Sequence, residues 1–225
     1  MFQEKQYLQL PGPTAVPPQV LRALSQPMIN HRGAEFKELF EEVTLGVQKT
    51  FKTENTVVIF PGAGTGGMEA AIVNFISPGE KVLVVTIGVF GSRFAEIAAK
   101  FGAQVERLDF EWGTAADPAQ IAERLAADKA GEIKAVIVTH NETSTGVTNN
   151  LPAIRQAMGS HPALLIVDAV SSMGAMDLRT DEWGLDVVVT GAQKAFMLPP
   201  GLTFVSVSER AWAVAKNCTN YKYYC

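Results

Sequence analysis

Five short runs of consecutive apolar residues limit what this chain can become: Val57–Phe60, Val82–Val85, Ala135–Val138, Leu164–Val167 and Val187–Val189. Each closes on a proline, a threonine or an aspartate. Such runs are too short for helices and lack the polar–apolar alternation of a half-solvated strand, so they read as strands buried on both faces. Gln104–Leu108 and Leu202–Val207 add two more strands. Between the runs the period turns helical, over Met68–Ile76 and over Ser92–Phe101 before Gly102. Another helix starts at Pro118 behind an Asp117 cap, with Ile121 and Leu125 on one face, and another starts at Pro152. Ahead of this alternation, Leu21 and Leu24 mark a short helix, and Phe36, Leu39, Phe40, Val43 and Leu45 a second. The expectation is an α/β fold with a mostly parallel central sheet and helices on both faces. Residues 1–18, with Pro11, Pro13, Pro17 and Pro18, form an extended arm. Residues 19–225 form one large domain.

Composition narrows the function classes. A net charge of −4 argues against binding a nucleic-acid backbone, which wants a basic face. No apolar run reaches the length of a membrane span, and the opening MFQEKQYLQL has no apolar core of a secretory signal. The two cysteines, Cys218 and Cys225, are too few for a disulfide framework or a zinc site. A cytoplasmic location is expected.

In parallel sheets ligands gather beyond the carboxyl ends of the strands, which directs attention to the residues after each run. Gly62-Ala63-Gly64-Thr65-Gly66-Gly67 follows the first strand and opens a helix. A dinucleotide site would add an acidic residue near the end of the next strand, where Thr86-Ile87-Gly88-Val89 has none. A P-loop would add Lys-Ser/Thr after the last glycine, where Met68-Glu69 stands. What remains is a turn whose backbone N–H groups can close on one phosphate, or a tight strand-to-helix turn with no ligand.

Asp168 ends a wholly apolar strand, and a carboxylate there wants a cation or hydrogen-bond donors unless it merely turns the chain. Lys194 follows the Val187–Val189 run and is the only lysine between Lys134 and Lys216. Burial disfavours an ammonium, which is what an amine needs to form a Schiff base. A phosphate cradle, an acid and an amine are the three demands of pyridoxal phosphate (PLP), whose ring nitrogen takes the acid and whose aldehyde takes the lysine. Phe90, after the second strand, can offer the ring a stacking face or serve as a core aromatic.

From about Leu10 onward the chain resembles the class V aminotransferases, in particular the alanine–glyoxylate and serine–glyoxylate branch. The matching stretches are LPGPTAVPP, PGAGTGGMEAA, IGVFGSRF, THNETSTGV, LLIVDAVSSMG and TGAQKAFMLPPG. The resemblance implies a fold-type-I PLP enzyme acting as a homodimer on an amino acid and a 2-oxo acid. It implies Lys194 as the Schiff-base lysine and proton shuttle, and Asp168 on the pyridine nitrogen. Ala63, Gly64, Thr65 and Gln193 match phosphate contacts, and Thr143 matches the hydroxyl that reaches the ring 3′-oxygen. Phe90 matches the stacking aromatic, often a tryptophan in relatives, with Val170 on the opposite ring face. The arm around Gly12 matches a segment near the substrate entrance and the partner subunit.

Family members continue well past the position of Cys225. The resemblance therefore implies a chain incomplete at its C-terminus. A small C-terminal domain, the arginine that fixes the substrate carboxylate and residues of the neighbouring subunit would lie outside it, leaving little or no activity. Three functions follow: amino transfer from alanine or serine to glyoxylate, desulfuration using Cys218 or Cys225, or a cofactor-binding or inactive aminotransferase-like protein.

Overall fold

The computed structural model describes residues 8–225; Met1–Tyr7, the start of the expected arm, lie outside the described residues. Helices α1 (Pro18–Leu24) and α2 (Ala34–Phe51) come first. An alternation follows: β1 (Thr56–Gly62), α3 (Gly64–Phe75), β2 (Lys81–Thr86), α4 (Val89–Lys100), β3 (Gln104–Asp109), α5 (Pro118–Ala127) and β4 (Ile133–Thr139). A small hairpin, β5 (Asn141–Glu142) and β6 (Val147–Thr148), leads to α6 (Leu151–Met158), β7 (Leu164–Asp168), β8 (Val187–Gly191), β9 (Gly201–Val207) and α7 (Glu209–Ala215).

The main sheet has seven strands in the order β1-β9-β8-β7-β4-β2-β3. β3, β2, β4, β7 and β8 run parallel to one another, while β9 runs antiparallel to both β8 and β1. The expected mostly parallel sheet is therefore present, with one reversed strand. An apolar run buried on both faces looks the same in either direction, so the reversal leaves no mark in the sequence.

Both faces are covered, which is why the central strands carry no polar alternation. Leu165 and Val167 of β7 join Phe51, Ile121 and Ile154 from α2, α5 and α6. Leu164 and Ile166 join Ile72, Phe75 and Phe94 from α3 and α4 on the opposite side. Burying one such side chain contributes about 1.5–3 kcal/mol, so Ile166→Ala costs about 2–5 kcal/mol. Local signals set several helix starts: Asp117 accepts from the Ala119 N–H at 2.9 Å, Asn150 from Ala153 at 3.1 Å and Ser208 from Ala211 at 3.1 Å.

Three elements differ in detail from expectation. α3 begins at Gly64 rather than Met68, so most of the glycine loop is the first turn of a helix. α4 begins at Val89 rather than Ser92, which puts Phe90 in its first turn. In α2, Val47 and Phe51 are buried, whereas Leu39, Phe40, Val43 and Leu45 face outward.

Candidate active site

The carboxyl ends of β2, β4, β7 and β8 lie side by side, and the residues after them converge on one recess lined by Phe90, Asn141, Thr143, Asp168, Val170, Ser171 and Lys194. Five of these, Phe90, Thr143, Asp168, Val170 and Lys194, are residues that the sequence singled out.

Asp168 arrives there as the last residue of β7, paired in register with Thr139 on one side and Val189 on the other. It is 3% exposed, and its Oδ1 accepts the Val170 N–H at 2.9 Å. Burial pushes its carboxyl up to about 6, against the pull of the Val170 hydrogen bond and with a further push from the charge of Glu142. A carboxylate held in this way gains from any cation brought within reach.

Lys194 sits in the connection that reverses the chain from β8 into β9. Its backbone is held twice: the Lys194 carbonyl accepts the Met197 N–H at 2.9 Å and the Thr14 hydroxyl at 2.9 Å. The Thr14 N–H donates to the Gln193 carbonyl at 2.9 Å, and Nζ donates to the Pro11 carbonyl at 3.1 Å. The proline-rich arm thus lies across the lysine. Gly12 touches it most closely: at φ 148° a side chain is disfavoured, and a Cβ there would stand 2.7 Å from both Cδ and Nζ. Burial lowers the amine below the ordinary lysine range, while the charge of Asp168 works in the opposite direction.

The helix that opens at the glycine turn borders the recess. A Cβ on Gly64 would stand 2.6 Å from Val170 Cγ2. Gly67 is the first residue of α3 whose N–H returns to the chain, reaching the Ala63 carbonyl at 3.1 Å. The N–H groups of Gly64, Thr65 and Gly66 therefore have no intrahelical acceptor, and no side chain caps the helix. A Cβ on Gly191 would meet Gln193 Oε1 at 2.8 Å and Gly64 N at 3.0 Å, so the bare Gly191 keeps open the space these two atoms share. Gln193 Oε1 is buried without a hydrogen-bond partner, as is Thr139 Oγ1 on the residue paired with Asp168. Free helix N–H groups at one end, with a buried acid and an amine at the other, fit a group that carries an anion, a basic ring and an electrophilic carbon. PLP has these features. Ala63 and Thr65 flank Gly64 on the exposed side of the turn.

Sequence reasoning missed Asn141 and Ser171, which line the recess and bond to each other: Asn141 Nδ2 donates to Ser171 Oγ at 2.9 Å, and Ser171 Oγ donates to the Asn141 carbonyl at 2.8 Å. Their signal was positional, since both belong to segments that follow apolar runs. Nearby His140 is buried against Trp183, with Nδ1 at 2.9 Å from Ser172 Oγ, and burial lowers its pKa to about 4. A ring held neutral in this way supports the strand ends and carries no charge into the site. Cys218 donates to the Val73 carbonyl at 3.4 Å, Cys225 borders a groove with Phe60 and Trp212, and neither lines the recess. Among the described residues no group of three or more His, Cys, Asp and Glu is arranged to hold a metal ion.

Comparison with known proteins places this geometry. The family model "Aminotransferase class-V" matches residues 6–219. The chain is 48% identical over 222 residues to the soluble hydrogenase 42 kDa subunit of Anabaena cylindrica, covering 98% of this chain and 58% of that protein. It is 45% identical over 205 residues to the L-aspartate–glyoxylate aminotransferase of Paracoccus denitrificans, covering 90% and 52%. The alanine–glyoxylate aminotransferase structure from a Nostoc species superposes with a TM-score of 0.89 at 28% identity, covering 97% of this chain and 59% of that one. The chain thus spans little more than half the length of the proteins it matches. It belongs to the class-V aminotransferase family, whose cofactor is pyridoxal phosphate.

Proposed function

We propose that this chain is the cofactor-binding part of a PLP-dependent aminotransferase that moves an amino group from alanine or serine to glyoxylate. The observation that carries the reading is the convergence of Asp168 and Lys194 on one recess beside the open first turn of α3. Glyoxylate is the acceptor in the names of both aminotransferase relatives, while their named donors, aspartate and alanine, differ.

Bound PLP supplies an electron-accepting ring that eases loss of the proton from a substrate α-carbon. The residues of the chain divide the remaining work. Lys194 would hold the group through its amine and, when free, would be the base that takes and returns the proton. Its lowered basicity favours the neutral, nucleophilic form of the amine relative to an ordinary lysine. Asp168 holds a proton on the ring nitrogen by presenting a negative charge to it from a nearly dry position. The N–H groups around Gly64 and Thr65, with Ala63 and the Gln193 side-chain NH2, would take the phosphate. Phe90 and Val170 would hold the two ring faces, and the Thr143 hydroxyl would reach the ring oxygen.

The whole protein acts as a cytoplasmic homodimer in this reading; no helix among the described residues is long and apolar enough to cross a membrane. Desulfuration is less well supported, because neither cysteine borders the recess. The test is PLP titration, with one portion of the loaded protein reduced by borohydride for mass spectrometry and a second, unreduced portion offered alanine, serine and aspartate. Loss of the visible cofactor band with alanine or serine supports the reading. A band that no amino acid changes, in a chain extended to the length of its relatives, overturns it.

A further inference from the structure

Beyond the push of its charge on Asp168, Glu142 has no role assigned above, yet it is completely buried and its carboxylate is fully used. Oε2 accepts the N–H groups of Phe90 at 2.9 Å and Gly91 at 3.1 Å, both in the first turn of α4. Oε1 accepts the Ser144 N–H at 3.1 Å and the Ser144 hydroxyl at 2.7 Å. Ser144 Oγ in turn accepts the Val89 N–H at 3.0 Å. Four donors on one buried group, two to each oxygen, meet the demand of a carboxylate at a helix N-terminus. The cap comes from a residue more than fifty positions away in sequence.

Two side chains of the recess hang on this clamp. Phe90 is held through its own N–H, and Thr143 lies between the clamp residues Glu142 and Ser144. From this arrangement we infer that Glu142 is a positioning residue, fixing the Phe90 ring and the Thr143 hydroxyl relative to each other so that both can engage PLP. The assignment rests on the cofactor reading above.

Glu142→Gln probes it sharply. The two oxygens serve different donor pairs, so in either amide orientation the new NH2 faces N–H or O–H donors and one half of the clamp opens. The measurement is PLP binding followed by absorbance and by visible circular dichroism of the bound cofactor, which reads the handed environment of the ring. E142Q is expected to raise the PLP Kd by roughly tenfold or more and to weaken or invert the dichroic band. Ser144→Ala, which keeps the carboxylate and removes one hydroxyl bridge, is expected to shift the band in the same direction by less. Asp186→Asn is the control, since Asp186 is also a buried carboxylate but serves Arg210 and the Leu165 N–H, away from the recess. It is expected to lower the melting temperature and leave the dichroic band unchanged. If E142Q does not fold, S144A against D186N decides. E142Q or S144A binding PLP with wild-type affinity and an unchanged band overturns the inference alone. A wild-type chain that takes up no PLP overturns the cofactor reading and the inference together.

Discussion

Asp168 ends β7 and Lys194 lies three residues beyond the neighbouring parallel strand β8, and both side chains border the same recess. The two come from separate strand ends and are 26 positions apart in sequence. Burial acts on them in opposite senses, raising the carboxyl to about 6 and lowering the amine. Each charged form is thereby disfavoured until a group between them can use it.

Asp168 therefore costs the cofactor-free chain stability. With its carboxyl near 6 in the folded chain against an ordinary 3.8, the folded state binds the proton more tightly than the unfolded state. Stability is retained below the ordinary value, falls as pH rises between the two, and above about 6 the loss is complete, at most about 3 kcal/mol. Asp168→Asn keeps an oxygen for the Val170 N–H. Without PLP its melting temperature is expected to exceed that of the wild type at about pH 8 and to match it near pH 4, while its PLP affinity falls. Melts at both pH values check this, and an equal gain at both would contradict the burial account.

Gly12 is the point where the arm meets Lys194. Gly12→Ala introduces a side chain at φ 148° and only 2.7 Å from Nζ. The lysine tail can move, so the main cost is backbone strain of about 1–3 kcal/mol, relieved by lifting the arm. Slower covalent uptake of PLP with a small change in melting temperature is expected. Stopped-flow absorbance measures the rate, and an unchanged rate would mean that the arm does not guide the amine.

Phe90 carries the Arg93 guanidinium 4.8 Å from its ring centroid while lining the recess. Removing the ring in Phe90→Ala is expected to weaken PLP binding up to about tenfold, the scale of one aromatic contact. Phe90→Trp is expected to restore or tighten it. Equilibrium titration of both variants checks the pair, and equal affinity in F90A and wild type would remove Phe90 from the site.

The central strands were legible because burial on both faces leaves a local mark, three or four apolar residues in a row, as in Leu164–Val167; the edge strand β1 carries such a run although Val58 is exposed. The position of Asp168 at the end of β7 was legible for the same reason, whereas Lys194, expected to end its strand, lies in the turn three residues past β8. The reversed direction of β9 was not, since strand direction depends on the connection and not on the run. The early start of α4 was hidden because its cap, Glu142, arrives from a distant loop, whereas Asp117 and Asn150 cap their own helices and could be read locally. Asn141 and Ser171 escaped notice because their significance lies in a mutual contact across thirty positions.

Borohydride reduction of the PLP-treated chain, followed by peptide mass mapping, tests the central claim most directly. The account predicts one phosphopyridoxyl group on Lys194, abolished by Lys194→Ala and weakened by Asp168→Asn. A label that survives Lys194→Ala, or one found mainly on the surface lysines, would contradict it.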